Sequence, residues 1–383
     1  MQAQQTPTLH LYDRSNYQQI EWPPNSQYAR DYLLPLLSSG SLDYLTNVDT
    51  HMFALKVAGQ TLPLTVNHTE YDNSYLCSQL TKYVTYAKQE FMLNVPSLRI
   101  LLNLPLKALE IILKTANINQ IACVNNWLVS TNLYPNLEDF SVKNTTEFLI
   151  DRFPKHAIMF PSLNRHTNGP LMDQLEKQGY ILVPSREVFI FDQTLKDYSN
   201  IRRMQMDLAL LKKTPYQIVC HDEITEQDYD QITELYNLLY IKKYSKCNPM
   251  FSPACIKWWH EKKLINFQGI RDRNKHLVGV IGSFNRNGVL ATPLVGYDTQ
   301  LPPQEGIYRM LTALSVNEAL TKKFVFNMSS GASEFKKWRG GVGHIEYSAV
   351  YHKHLPLHMR SGWNLLRSLM THFGVKVLRK YKF

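Results

Sequence analysis

The chain has 383 residues, of which only 16 are glycine and 19 proline, and only 19% are charged. So few turn residues exclude collagen-like or low-complexity sequence, and a hydrophobic content of 44% excludes wholesale disorder. Cysteine is scarce and odd in number: Cys77, Cys123, Cys220, Cys247 and Cys255, with no Cys-x-x-Cys spacing. This excludes a disulfide framework and predicts reduced thiols in a cytoplasmic protein. No apolar run approaches the roughly 20 residues of a membrane span. The stretch from Ile100 to Leu113 is broken by Asn103, Pro105, Lys107 and Glu110. Met1 to Leu11 lacks the basic flank and apolar run of a signal peptide. No Gly-x-Ser-x-Gly elbow, His-Glu-x-x-His motif or Cys/His zinc spacing occurs, so no metal is expected.

Acidic residues are missing from the C-terminal end: Glu346 is the last. The formal net charge is +10, and Lys353, Arg360, Arg367, Lys376, Arg379, Lys380 and Lys382 supply seven of those units. The rest of the chain is nearly balanced. A local basic end suits a phosphate-bearing ligand, a nucleic acid or an anionic membrane surface.

The length exceeds one ordinary core and predicts two domains. Residues 1–28 are polar and read as a loose lead-in, followed by domains over 29–200 and 201–383. In the first, Phe53 to Val57 and Leu62 to Val66 flank Ala58-Gly59-Gln60-Thr61 and read as a hairpin. Ser74 to Leu93 and Pro105 to Thr115 read as helices. His156 to Phe160 reads as a strand, Asn164 to Gly169 as a loop, and Pro170 to Gln178 as a helix with proline at its first position. Tyr180 to Val183 and Val188 to Phe191 read as two strands. Asp197 to Lys213 reads as a charged helical connector.

The second half repeats the order strand, loop, helix, strand. Ile265 to Arg271, His276 to Phe284 and Val289 to Tyr297 read as consecutive antiparallel strands, and Asn287-Gly288 is a hairpin turn signal. Pro293 cannot donate to a ladder, so it predicts a bulge inside the third strand. Gly306 to Thr321 reads as a helix. His358 to Phe373 reads as a helix ended by Gly374, with a basic, β-prone tail after it.

A splayed strand that runs through a loop into a helix N-terminus is a physical anion site. Here the loop is Thr299-Gln-Leu-Pro-Pro-Gln-Glu-Gly306, entering the helix at Ile307, Tyr308 and Arg309. Gln304, Gly306, Ile307, Tyr308 and Arg309 are therefore candidate donor-binding residues, and a pyrophosphate such as that of coenzyme A would fit. The run Asn327-Met-Ser-Ser-Gly-Ala-Ser-Glu-Phe-Lys-Lys-Trp-Arg-Gly-Gly341 follows. It places Ser330 at a strand end and Gly331 in a turn, predicts Ser333 as a helix cap, and projects Lys336, Lys337 and Arg339. Basic side chains beside a glycine turn suit a phosphate or a developing oxyanion.

From Gln217 to Tyr351 the order of elements resembles the GCN5-related N-acetyltransferase (GNAT) superfamily. Ser333-Glu-Phe-Lys-Lys-Trp-Arg-Gly340 is similar to the Phe/Tyr-Lys-x-x-aromatic-Gly signature of its FemABX-like branch, whose members carry two such domains in tandem. The superfamily's phosphate loop survives only as Gln304-Glu-Gly306, and Arg339 stands before the last glycine where an aromatic is usual. The resemblance implies an α/β fold of two tandem GNAT-like domains, each a mostly antiparallel splayed sheet flanked by helices. It implies acyl transfer by direct attack, from acyl-CoA or an acyl-carrier protein to the amine of a small molecule or biosynthetic intermediate. By position, Lys336 contacts the donor or the oxyanion, Glu346 serves as general base, and Tyr347 or Tyr351 protonates the leaving group. Ser330 and Arg339 join the donor contacts, and His260 and His344 are alternative bases. Two other readings stay open. One is an aminoacyl-tRNA donor, against which the family's missing coiled-coil arm counts. The other is a non-catalytic domain pair on an anionic surface.

Overall fold

The computed structural model describes residues 9–89, 99–137, 140–195, 198 and 200–381. Among these, one mixed sheet of twelve strands runs through the molecule. The strands are β1 (His10–Tyr12), β2 (His51–Val57), β3 (Gln60–Asn67), β4 (Ile121–Val124), β5 (Ala157–Leu163), β6 (Ile181–Phe191), β7 (Gln217–Val219), β8 (Asn266–Arg271), β9 (Leu277–Arg286), β10 (Val289–Tyr297), β11 (Val325–Asn327) and β12 (Val342–Tyr351). Their spatial order is β1-β2-β3-β4-β5-β12-β6-β11-β10-β9-β8-β7. Neighbours are antiparallel except for the pairs β4–β5 and β10–β11. The helices that bear on the site are α1 (Arg99–Thr115), α2 (Arg165–Lys177), α3 (Arg202–Lys213), α4 (Tyr229–Asn237), α5 (Ile307–Lys322), α6 (Ser333–Lys337), α7 (Leu357–Leu369) and α8 (Val375–Tyr381). The fold class is the expected one: mixed α/β, mostly antiparallel, with helices on the sheet.

The last strand ties the molecule together. β12 lies between β5 and β6, pairing Val350 with Met159 on one side and with Ile181 on the other. The helix that follows stays with the first half of the chain. Met359, Trp363 and Leu366 of α7 share a core with Tyr83, Leu113, Met159 and Val183. A division of the chain at residue 200 therefore crosses strands that the sheet interleaves.

Turn chemistry behaves as the sequence predicts where it is local. Asn287 and Gly288 take positive φ (48° and 74°) and close the β9–β10 hairpin. The register of β10 against β9 slips between Ala291 and Leu294, at Pro293. Beyond the slip, Gly296 lies against helix α4. A Cβ there would stand 2.5 Å from the Tyr236 backbone nitrogen, so only glycine lets α4 rest on the strand.

Other expectations are corrected. Asn164 to Gly169 is not a loop. The Asn164 side chain accepts from the Thr167 N–H at 3.0 Å and starts α2 at Arg165. Asn168 (φ −128°) kinks the helix just before Pro170, which is how the proline is accommodated. β6 is one continuous strand rather than two. The cap of α6 is Ala332 in the left-handed region, not Ser333, whose buried Oγ has no partner. Gly374 does not end the C-terminal helix. Its φ is not positive, and a widened turn at Met370–Gly374 carries the helix on into α8, where a β-prone tail was expected. Of the expected helix from Ser74 to Leu93, residues 79–89 are helical and the last part lies outside the described residues. The charged connector forms α3 from Arg202 onward, and the lead-in holds the edge strand β1. Among the described residues, no helix is long and apolar enough to cross a membrane.

Candidate active site

The loop after β10 leads through a short turn (Pro303–Glu305) to Gly306, whose φ of 69° sets the chain at the start of α5. The first N–H groups of a helix have no acceptor within it and face outward with the positive end of the dipole. A cleft of about 700 Å³ opens there. Gly306, Ile307, Tyr308, Arg309 and Arg339 of the predicted donor set line it, whereas Gln304 and Ser330 do not. Arg202, Arg203 and Lys243 join the lining, with Tyr297, Phe335 and Trp338. Five cations thus face two carboxylates, Asp207 and Asp298. The Asp207 side chain is buried and shared: Arg309 Nε donates to Oδ1 at 2.7 Å, and Arg339 Nε to Oδ2 at 2.5 Å. The Arg203 guanidinium stacks 4.0 Å above the Trp338 ring. Tyr308 and Phe335 meet at 4.9 Å and give the cleft an aromatic wall.

Helix α6 faces two ways. Phe335, with Trp338 and Arg339 just beyond the helix, lines the cleft, while Lys336 turns inward and is buried. Its Nζ donates to the carbonyls of Ser330 (2.6 Å) and Ser329 (3.2 Å). Burial, and then the charge of Arg186, push Lys336 down to about 7. Ser329 sits in the left-handed region (φ 61°) and its hydroxyl accepts from Arg186 Nη1 at 3.2 Å.

Arg186 is the centre of the buried network. Its Nε donates to Glu346 Oε1 at 2.8 Å and its Nη2 to Oε2 at 3.1 Å, with further bonds to Thr131 Oγ1 and the Ser130 carbonyl. The partners face each other across β6 and β12 in register. Lys82 comes from the first half of the chain, and its Nζ donates to Ser348 Oγ at 3.4 Å. Burial pushes Lys82 down to about 8, against the pull of Glu346. Arg186 thus pairs Glu346 directly, and Lys82 lies within reach of the same carboxylate's charge.

The remaining predicted residues are distributed differently. Glu346 is buried and held at both oxygens by Arg186, so the structure gives it a pairing role where a free base was expected. Tyr347 and Tyr351 pack instead with Leu163 and Tyr180 in a separate apolar core. His344 lies beside His166, ring to ring at 5.1 Å. His260 is tied to His221 and to the Tyr229 hydroxyl near β8. Arg186, Lys82 and Asp207 escaped the sequence reading. The one available signal was a charge, Arg186-Glu187, inside an otherwise apolar strand. Among the described residues, no group of three or more His, Cys, Asp or Glu could hold a metal ion.

No protein-family model matches the sequence, and no curated protein matches it. Among solved structures, the chain is similar to L-PGS from Bacillus licheniformis (15% identity, 59% of this chain and 76% of that one, TM-score 0.44). It is also similar to FemX (6% identity, 59% and 78%, TM-score 0.45). A tandem GNAT protein from the clavulanic acid biosynthesis pathway is similar over 90% of this chain and 98% of its own (9% identity, TM-score 0.38).

Proposed function

We propose that the chain is a cytoplasmic acyltransferase that takes an acyl group from a phosphate-bearing thioester, acyl-CoA or an acyl-carrier protein, and passes it to an amine. The observation that carries this reading is the cleft at the start of α5, where Arg202, Arg203, Lys243, Arg309 and Arg339 converge beside a helix N-terminus. Such a site suits a pyrophosphate, and the aromatic wall suits the rest of the donor. The amine nitrogen attacks the thioester carbonyl carbon, the carbon–sulfur bond breaks, and the thiolate leaves. Lys336 lies behind the cleft wall and is poised near 7. In this reading the amine enters from the Ser329–Ser330 side, where Nζ is held; neutral Lys336 takes its proton, and the ammonium so formed protonates the thiolate.

Thermal shift and calorimetric titration with coenzyme A test the donor. Coenzyme A should stabilise the protein, and pantetheine, which lacks the pyrophosphate, should not. Arg203→Ala and Lys243→Ala should each weaken coenzyme A roughly tenfold, the loss of one charge-assisted contact. Lys336→Ala should keep coenzyme A binding and lose acyl transfer. Equal binding of pantetheine and coenzyme A would overturn the reading. An aminoacyl-tRNA donor could meet the same cations at the cleft rim, and would show instead as tRNA binding with a steep salt dependence.

A further inference from the structure

Helix α1 buries Leu113 and partly buries Leu109, yet it leaves Leu104, Ile111 and Ile112 exposed (77%, 66% and 46%). Leu104, Ala108 and Ile111 are spaced at i, i+4 and i+7, so they form a stripe along one face. Helix α7 packs directly beside α1: a Cβ on Gly362 would stand 2.3 Å from that of Ala116, and Trp363 shares a core with Leu113. The run α7–α8 carries Arg360, Arg367, Lys376 and Arg379 exposed, and shows Leu357 and Phe373 to solvent (75% and 66%). The sequence of α7 to α8 contains no acidic residue, and α1 contains one, Glu110, which is held between Lys88 and Lys114.

An apolar stripe alone would suit any hydrophobic partner, and a basic run alone would suit any polyanion. Here the two lie on helices that pack against each other and share a core. We infer that this pair of helices docks the protein on an anionic lipid surface, with Leu104 and Ile111 entering the acyl boundary and Arg367 and Lys376 meeting the headgroups. The charge complementarity is with an anionic bilayer: exposed branched aliphatic side chains find no counterpart on a nucleic-acid backbone, whereas lipid accepts both groups. In this arrangement the two helices lie along the surface; among the described residues, no helix is long and apolar enough to cross it. This inference is independent of the donor cleft, which lies at α5 and α6.

Co-sedimentation of the full chain with vesicles tests it. Phosphatidylglycerol–phosphatidylcholine vesicles should bind the protein, and pure phosphatidylcholine vesicles should bind it far less. The double variant Arg367→Gln and Lys376→Gln should lower partitioning roughly 30-fold, as expected for two cations lost at the surface. Ile111→Asp should lower it at least tenfold at unchanged charge on α7–α8. All these positions are exposed, so circular dichroism and coenzyme A titration should remain those of the parent chain. Equal binding to neutral and anionic vesicles, unchanged binding by either variant, or binding to RNA with none to vesicles would overturn the inference.

Discussion

Asp207 and Arg339 stand 132 positions apart in the chain and meet through Oδ2 and Nε at 2.5 Å, both side chains buried. The other oxygen of Asp207 takes Arg309. One carboxylate from the connector helix α3 thus orients two arginines of the cleft at the start of α5. It binds α3 to both α5 and the segment after α6.

Replacing that carboxylate removes charge without changing shape. Asp207→Asn should destabilise the protein by about 3 kcal/mol, because it leaves a buried guanidinium unpaired. Urea denaturation measures this. A loss below about 1 kcal/mol, the worth of an exposed pair, would show that the clamp is not structural.

The state of Lys336 gives two pH dependences. The rate of acyl transfer should rise with a midpoint near pH 7 as the side chain loses its proton, and Lys336→Arg should abolish that midpoint because a guanidinium stays charged. Stability moves the same way. The unfolded lysine titrates at its ordinary 10.5 and the folded one near 7, so between these values the unfolded chain binds more protons and stability rises with pH. Below pH 7 the cost of burying the charge is fully present. Lys336→Met should therefore be more stable than the parent at pH 6 while inactive, as chemical denaturation at pH 6 and pH 9 would show.

His156 contributes in the acid range. Its Nε2 lies 3.0 Å from His68 Nδ1, and burial, followed by the repulsion of His68, holds it down to about 4. As pH falls from 6.5, the unfolded imidazole takes a proton that the folded one refuses, so stability is lost. The loss should reach up to about 2 kcal/mol by pH 5. His156→Gln should flatten that slope. An unchanged difference between pH 7 and pH 5 would show that His156 does not carry it.

The cleft at the start of α5 was legible because its parts are local. Pro293 cannot join a ladder, Gly306 accepts a positive φ, and Ile307 to Arg309 begin a helix; each property belongs to a few adjacent residues. Lys336 was legible through the run around it. Glu346 was legible as a carboxylate in a strand, but not as the partner of Arg186, because pairing depends on the register between β6 and β12. Asp207 and Lys82 gave no local signal, since each reaches the site from an element whose own pattern reads as an ordinary amphipathic surface.

By itself, the sequence determined where the charge lies, which segments turn, and which motif carries Lys336 and Arg339. Those follow from steric limits and side-chain chemistry within a few residues. The tertiary structure alone decided that β12 enters the sheet between β5 and β6, that Arg186 pairs Glu346 across that junction while Lys336 is buried on the Ser329 and Ser330 carbonyls, and that the basic helix α7 packs against α1. Burial and pairing are set by contacts between distant segments, and those contacts turn a lysine that would ordinarily titrate at 10.5 into one that titrates near 7.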